Sequence, residues 1–302
     1  MKEHNNRKQA DKFAEYITGQ GLRQYLAQKV KHYVGDNPTV FDGAVGSGQL
    51  EQHLNARHIT GVEIQAMACQ AFACNYPTAT VHNQSFFAFG GDVVADCVVM
   101  NPPFSLKFKD LTATEQAQTQ AEFGWKKSGV VDDIFVLKSL KYAKRYAFYI
   151  LFPGVGYRAT EKTFRALIGN QLAECNMIAN AFDDTSISVL FVVIDRQKTD
   201  GNYQSEYLDL KTGETYQDSF SVDDDRWQTA TKPTPDPFGA DFNINALNQQ
   251  LLDNDVAKLD STLAYHKSLH TFTGIDFVGF CQRLRAIIDK HQNNFRNNEM
   301  IV

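Results

Sequence analysis

Residues 39–48 read TVFDGAVGSG, a short run of β-branched and aromatic residues followed by a glycine-rich turn. The first four residues are typical of a buried strand, which ends at Asp42. Glycines let the backbone of the turn approach a ligand closely and direct its N–H groups towards that ligand. Their spacing, G-x-x-G-x-G, differs from the G-x-G-x-x-G of dinucleotide-binding proteins. The stretch therefore predicts a strand followed by a ligand-binding turn, without identifying the ligand.

Short apolar runs and helical patterns alternate on both sides of this turn. The predicted strands span residues 39–42, 59–63, 79–81, 95–100, 147–152, 176–182 and 188–194, and the predicted helices span residues 8–34, 49–56, 65–75, 132–144 and 164–172. Strands and helices that alternate in this way form a mainly parallel sheet. The connection between the last two strands is too short for a crossover helix, so they should pair antiparallel. The predicted fold is α/β and Rossmann-like, with seven strands of which the last is antiparallel.

The strand at residues 95–100 ends in Asn101-Pro102-Pro103-Phe104. Two prolines in a row donate no backbone hydrogen bonds and fix φ, so the chain must leave the strand there as a rigid corner. The corner offers one amide side chain, free backbone carbonyls and one aromatic ring, which suit a flat base with an exocyclic amine. Taken alone, it could equally be an ordinary turn with a buried phenylalanine.

The second strand ends at Glu63, about twenty residues after the first, where an acidic side chain can accept both hydroxyls of a ribose. The alternative for Glu63 is a solvent-exposed carboxylate at a strand end. In a doubly wound sheet the strand before Asn101 neighbours the first strand, so both strand ends face one crevice. The glycine turn and Glu63 together predict a nucleoside cofactor beside the corner at Asn101.

Composition and charge limit the class of protein. The chain has 302 residues, 43% hydrophobic and 22% charged, as in ordinary globular proteins. Neither a signal peptide nor an apolar run long enough to span a membrane is found in the sequence, and its five cysteines and eight histidines show no metal-site spacing. A cytoplasmic protein with reduced thiols, no metal and no membrane partner is therefore expected.

Positive and negative charge lie in different parts of the chain. Residues 104–165 contain 11 Lys and Arg against 6 Asp and Glu, whereas residues 200–302 contain 9 against 16. A nucleic-acid partner should therefore meet the first of these segments, which includes a long polar loop at 105–130. Its basic residues are either phosphate contacts or a solvated helix face: Lys126, Lys127, Lys138, Lys141, Lys144 and Arg145.

The predicted domains are a catalytic domain at residues 1–198, with a helical segment at 1–35, and an acidic extension at 199–302. The extension should contain a hairpin at 203–222, a proline-rich linker at 232–237 and a helix at 243–268. A final amphipathic helix should begin after Thr273, which is a suitable N-cap residue.

Two of these motifs resemble known ones. Residues 42–48 resemble motif I of S-adenosylmethionine-dependent methyltransferases, and residues 101–104 resemble the catalytic motif of the DNA enzymes that methylate amino groups. The order of the motifs is that of the γ class, and the chain resembles the modification subunit of type I restriction-modification systems over residues 10–198. Further similar segments are 16–18, 101–107, 123–125, 132–135, 151–154 and 185–188.

The resemblance implies S-adenosylmethionine as the cofactor and assigns roles to residues of this chain. Glu63 would bind the ribose, and Ser85 and Phe86 would flank the adenine of the cofactor. The methionine part would be held from motif I and from the first helical segment: Asp42, Gly43, Gly46, Gly48 and Thr18. At the corner, Asn101 and the Pro102 carbonyl would accept hydrogen bonds from the target amine, and Phe104 would stack on a flipped-out base.

The resemblance also implies the activity of a site-specific adenine-N6 DNA methyltransferase in a restriction-modification system. The remaining residues are acidic and should not read DNA alone, so a specificity subunit or other protein partner is expected. No oligomeric state follows. Two alternatives keep the fold: methylation of an rRNA base or a protein glutamine, and a catalytically inactive binding module. The second arises because the family usually has Pro-Ala-Cys where this chain has Gly43-Ala44-Val45.

Overall fold

Parallel strands joined by helices form the centre of the molecule, as the alternating pattern predicts. The computed structural model describes residues 18–104, 106–182, 187–233 and 243–299. Its strands are β1 (Thr39–Asp42), β2 (His58–Glu63), β3 (Thr80–Asn83), β4 (Ala95–Met100), β5 (Ala143–Leu151), β6 (Leu172–Ala179), β7 (Val189–Asp195), β8 (Asn202–Asp209) and β9 (Thr215–Ser221). Its helices are α1 (Gln20–Tyr33), α2 (Ala66–Asn75), α3 (Ala113–Glu122), α4 (Asp132–Leu140), α5 (Lys162–Ile168), α6 (Ile244–Thr273) and α7 (Phe277–Glu299).

All nine described strands belong to one sheet, in the order β3-β2-β1-β4-β5-β7-β6-β8-β9. Strand β1 pairs parallel with β2 and with β4, which confirms that the ends of β1 and β4 lie side by side. Strand β7 is antiparallel to both β5 and β6, as the short connection before it predicts. The predicted count of seven strands was too low, because the β8–β9 hairpin continues the sheet through parallel pairing of β8 with β6.

The segment after the glycine turn is not the helix predicted at residues 49–56. Isolated three-residue turns replace it, with Gln52 N–H donating to the Gln49 carbonyl and Leu54 N–H donating to the Glu51 carbonyl. The segment lies between Gly48 and Asn55, which both have positive φ. Eight residues between two such points are too few to sustain a regular helix.

The long segment predicted as a polar loop contains helix α3. A capping box begins it, in which Thr112 and Glu115 each accept a hydrogen bond from the other's backbone N–H. The pattern Thr112-x-x-Glu115 was visible in the sequence. The prediction missed the helix because its residues, mostly Ala, Gln, Thr and Glu, form no continuous apolar stripe.

A polar network joins α1 to strands β6 and β8. Lys29 Nζ lies 2.6 Å from Glu174 Oε2, and the Tyr33 hydroxyl donates to Glu174 Oε1 over 2.5 Å. The Tyr25 hydroxyl donates to Glu206 of β8 over 2.7 Å and accepts from Asn176 over 2.9 Å. Apolar residues of α1, including Leu22 and Leu26, are fully buried in the same layer of the core. The amino-terminal helix is therefore fixed to the far half of the sheet.

We expect Glu174→Ala to lower the free energy of unfolding by about 2 kcal/mol, since it leaves buried donors without their acceptor. Glu174 is 6% exposed. Chemical denaturation followed by circular dichroism would measure the change. The control is Glu214→Ala, which removes a surface pair with Lys232 and should change stability by less than about 1 kcal/mol. Equal effects of the two substitutions would contradict this role of the network.

The chain divides into two compact units, residues 1–233 and 234–302. The first unit therefore includes the β8–β9 hairpin. The predicted functional boundary at residue 198 stays a prediction, because compactness does not say which residues catalysis requires.

The second unit contains α6 and α7. Asn243 caps α6, and its side chain accepts from Ala246 N–H over 3.0 Å. Thr273 is the last residue of α6, so the prediction that it caps the final helix was wrong: Gly274, with φ of 71°, ends α6 instead. The two helices contact near this turn, where the rings of His266 and Phe280 stack 4.1 Å apart. Across the described part of the chain, no helix has the length and hydropathy needed to cross a membrane.

Candidate active site

The candidate site lies at the carboxyl edge of the sheet, where β1, β2 and β4 end side by side. Val40 and Phe41 pair with Cys97 and Val98 of β4. A Cβ atom at Gly43 would lie 2.8 Å from Met100 Cε and 2.7 Å from the Phe86 ring, so only glycine fits there. The glycine turn after β1 and the corner after β4 are thus in direct contact, as predicted from the strand order.

Backbone hydrogen bonds hold the turn open. Asp42 Oδ1 accepts from Ala44 N–H over 2.7 Å, and Val45 N–H donates to the Val62 carbonyl of β2 over 3.1 Å. Gly46 has a φ of 54° and half-buried backbone, and no heavy atom lies within 4 Å of the position that a Cβ would occupy. The turn therefore has open space where a ligand can approach its backbone.

The carboxylate of Glu63 is oriented by two backbone donors. Its Oε2 accepts from Gly46 N–H over 3.0 Å and its Oε1 accepts from Gln65 N–H over 2.7 Å. The side chain is only 8% exposed. Each carboxylate oxygen can accept more than one hydrogen bond, so this fixed group can also receive the hydroxyls of a ribose.

A second buried carboxyl group, which no sequence pattern indicated, lies beside Asp42. It belongs to Glu51, whose side chain is 2% exposed and hydrogen-bonded to the Asp42 carboxyl group. Burial raises the pKa of Asp42 to about 7, and the nearby charge of Glu63 adds to this effect. Burial, followed by the Asp42 charge, raises the pKa of Glu51 as well. Two carboxyl groups can hydrogen-bond only through a proton, so the pair shares one.

The structure places Thr18 beside Asn101. Asn101 Nδ2 donates to Thr18 Oγ1 over 3.0 Å, and the Thr18 carbonyl accepts from buried Arg23 Nε over 2.5 Å. Arg23 also donates to Gln52 over 2.7 Å, which ties this contact to the segment after the glycine turn. With its NH₂ group directed to Thr18, the amide of Asn101 presents its oxygen as an acceptor. The other two residues of the first similar segment, 16 and 17, lie outside the described residues.

The aromatic residues assigned to the site lie within the core. Phe86 is 4% exposed, and its ring stacks on Phe135 at 5.4 Å. Phe104 is 3% exposed, with Phe152 and Phe182 at 6.4 and 6.2 Å between ring centroids. Their contacts with the cofactor's adenine and with a flipped base stay predictions, and each would need the ring to become more exposed.

Ser85 connects the site to helix α3. Its hydroxyl donates to Glu115 Oε1 over 2.5 Å, and Glu115 is the residue that completes the capping box of α3. The segment after the corner therefore packs beside the place predicted for the adenine of the cofactor. Residues 105 and 183–186, which include parts of two of the similar segments, lie outside the described residues.

The basic residues predicted either to contact phosphate or to be solvated are mostly ion-paired. Lys144 and Arg145 contact Asp96 and Asp195 at 2.7 Å. Both lie at the start of β5, which is the amino-terminal end of a strand parallel to β4. They are therefore on the edge of the sheet opposite Asn101. Lys141 pairs with Glu122 at 3.4 Å, and Lys138 donates to the Phe87 carbonyl over 2.9 Å.

Lys126 belongs to a buried charged cluster below the corner. Its Nζ lies 2.6 Å from Asp133 Oδ2, with side-chain exposures of 2% and 0%. Asp132 and Glu161 are also buried, and Arg158 lies 3.7 Å from Asp132 and 3.2 Å from Glu161. Burial raises the pKa values of Asp132 and Asp133 to about 6. This cluster fixes the end of the long post-corner segment to the start of α4.

The arrangement fits a nucleoside cofactor that carries a cationic group. The turn offers open backbone, Glu63 offers an oriented acceptor for ribose hydroxyls, and the Asp42–Glu51 pair offers negative charge. Within the described residues, no group of His, Cys, Asp and Glu side chains could hold a metal ion.

The sheet order and this edge define an α/β protein with the fold of S-adenosylmethionine-dependent methyltransferases. Residues 2–219 match the family described as N-6 DNA Methylase. Because the match covers more than half of the chain, the protein belongs to that family.

Solved structures of other proteins share the fold. The type I restriction-modification methyltransferase subunit from Streptococcus thermophilus matches with a TM-score of 0.53 and 21% identity, over 66% of this chain and 49% of that one. The type IIG restriction endonuclease BpuSI matches with a TM-score of 0.57 and 14% identity, over 68% and 31%. A chain from a study of type I restriction-modification complex assembly matches with a TM-score of 0.56 and 12% identity, over 85% and 67%. The chain thus spans about half the length of the Streptococcus subunit.

Proposed function

We propose that this protein transfers the methyl group of S-adenosylmethionine to the exocyclic N6 amine of adenine in DNA. The observation that carries the proposal is the contact between the open glycine turn and the corner at Asn101, since a methyl donor and an amine must meet there. Membership of the N-6 DNA methylase family supports DNA as the substrate over rRNA or a protein glutamine.

The residues at the corner have a defined chemical task. The N6 amine of adenine is a poor nucleophile because its lone pair is delocalised into the ring. Asn101 Oδ1 and the Pro102 carbonyl would accept its two hydrogens and favour a pyramidal nitrogen whose lone pair points towards the turn. When bound, the cofactor supplies a methyl group activated by a sulfonium. Alignment by Asn101 then provides most of the acceleration, and no strong general base is needed.

Two measurements test the proposal. Calorimetric titration of S-adenosylmethionine into the purified protein should give saturable binding, and its absence at millimolar cofactor would refute both enzyme readings. Tritiated methyl groups should then be transferred to unmethylated DNA and recovered as N6-methyladenine after nucleoside analysis. Label found only in RNA or in protein would replace DNA with one of the alternative substrates. Binding without transfer to any of these substrates, even with a partner present, would favour the inactive binding module.

Thr18 provides a sharper test of the corner. We expect Thr18→Val to reduce methyl transfer by about tenfold, because Asn101 loses the acceptor that orients its amide. Thr18→Ser keeps the hydroxyl and should retain most of the activity. Single-turnover assays at saturating cofactor would measure both variants. Equal activity of the valine and serine variants would show that the hydroxyl does not position Asn101.

We further propose that sequence specificity comes from a partner protein in the cytoplasm. The 200–302 segment has a net negative charge, which disfavours phosphate contacts. Its helices α6 and α7 expose large apolar side chains that suit a protein partner, among them Leu251, Leu252, Val256, Ile287 and Ile288. Methylation restricted to one sequence by the isolated chain would contradict this proposal. Site-specific methylation only after a specificity subunit is added would support it.

A further inference from the structure

Asp42 and Glu51 form a buried acidic pair that the proposed methyl transfer does not yet use. Asp42 is 1% exposed and Glu51 is 2% exposed. Asp42 accepts from the Ala44 N–H, whereas neither oxygen of Glu51 accepts from a nitrogen or hydroxyl donor among the described residues. Glu51 is therefore held in the interior chiefly by another carboxyl group.

The pair lies next to the glycine turn, on the side where open space reaches the backbone. Asp42 is the last residue of β1 and Ala44 belongs to the turn itself. Glu51 follows only three residues after Gly48. The charged and titratable groups that act on the pair are Glu63, Tyr76 and, through Tyr76, Arg23. The pair is thus the acidic end of a site whose other end is the ribose acceptor Glu63.

A buried acidic pair of this kind is costly unless a cation compensates it. In the free protein a shared proton supplies that compensation, because two ionised carboxylates in contact repel each other strongly. An ammonium group can replace the proton, since it donates to both carboxylates and neutralises one of their charges. The cofactor of the proposed reaction carries such a group on its methionine part.

We infer that the Asp42–Glu51 pair binds the α-ammonium group of the methyl donor, which displaces the shared proton to solvent. Glu51 is then a cofactor-binding residue in addition to those predicted from the sequence. This inference rests on the proposed function, because it needs a cofactor with an amino-acid part.

Proton release on binding tests the inference in the unmodified protein. S-adenosylhomocysteine would be titrated calorimetrically near pH 7, in buffers that differ in ionisation enthalpy. We expect it to release a measurable fraction of one proton, because the pKa of Asp42 is raised to about 7 in the free protein. 5′-Methylthioadenosine, which lacks the amino-acid part, should bind without releasing a proton. Equal proton release by both ligands, or none by either, would overturn the inference.

The variant Glu51→Gln tests the residue itself. It should weaken binding of S-adenosylmethionine and S-adenosylhomocysteine by about tenfold and leave 5′-methylthioadenosine binding unchanged. Its thermal midpoint should be at least as high as that of the wild type, because an amide can donate to Asp42 without a shared proton. Equal weakening of all three ligands would indicate a structural role and overturn the inference. A loss confined to S-adenosylmethionine would instead assign the pair to the sulfonium.

These outcomes remain distinct from failure of the proposed function. If the wild-type protein binds none of the three ligands, the proposed cofactor is wrong. If it binds all three and only the Glu51 predictions fail, the cofactor assignment stands and the ammonium site is wrong. Should Glu51→Gln not fold, the proton-release measurement on the wild type still decides.

Discussion

Asn101→Ala should reduce methyl transfer by about a thousandfold or more while leaving cofactor affinity nearly unchanged. The side chain contacts Thr18 rather than the glycine turn through its NH₂ group, so its loss should not alter the cofactor side of the site. What is lost is the acceptor that aligns the target amine. Single-turnover transfer of tritiated methyl groups would measure the rate, and calorimetry would measure cofactor binding.

The control for this variant is Asn202→Ala. Asn202 is an exposed asparagine at the start of β8, in the hairpin that extends the sheet. Its substitution should leave both transfer and binding unchanged. A large loss of cofactor affinity in Asn101→Ala would show instead that the corner belongs to the cofactor site.

Lys126→Met should lower the free energy of unfolding by about 3–5 kcal/mol, because it leaves the buried Asp133 carboxylate without its cation. The two groups are 2.6 Å apart and almost wholly buried. Asp132 and Glu161 lie in the same cluster and add negative charge, with Arg158 as their neighbouring cation. Denaturant unfolding would measure the loss. The adjacent exposed lysine provides the control, and Lys127→Met should change stability by less than about 0.5 kcal/mol.

The loss in Lys126→Met should depend on pH in a defined direction. The pKa of Asp133 is already raised to about 6, and removing Lys126 should raise it further. Stability contributed by a group with a raised acidic pKa is present at low pH and lost as pH rises through the folded value. The deficit of the variant should therefore be smaller near pH 5 than near pH 8. A deficit that does not vary with pH, or one matched by Lys127→Met, would contradict the buried ion pair.

Much of the sheet could be predicted because its strands are short apolar runs with clear ends. The prolines after Met100 and the glycines after Asp42 end two strands at the same edge, and strand order then brings the two motifs together. The β8–β9 hairpin was recognised but placed outside the sheet. Its pairing with β6 depends on contacts with residues about thirty positions away, such as Asn176 with Glu206, which no local pattern encodes.

The site was less predictable than the sheet. Glu63 and Asn101 follow strands and could be assigned from position alone. Glu51 lies in irregular turns that resembled a helix in sequence, so its side chain could not be directed anywhere. The bond between Asn101 and Thr18 joins residues 83 positions apart and depends on the tertiary fold. The degree of burial of Phe86 and Phe104 likewise depends on packing partners that single residues do not reveal.

The attachment of α1 to β6 and β8 has a consequence for the order in which the protein folds during synthesis. The Tyr25–Glu206 hydrogen bond spans 181 residues, and the Tyr33–Glu174 bond spans 141. Helix α1 leaves the ribosome early, but its polar partners are made only when two-thirds of the chain exists. Contacts so distant in sequence form late and slowly. Until β8 emerges, the apolar face of α1 stays uncovered on one side, which makes the nascent chain a natural substrate for chaperones.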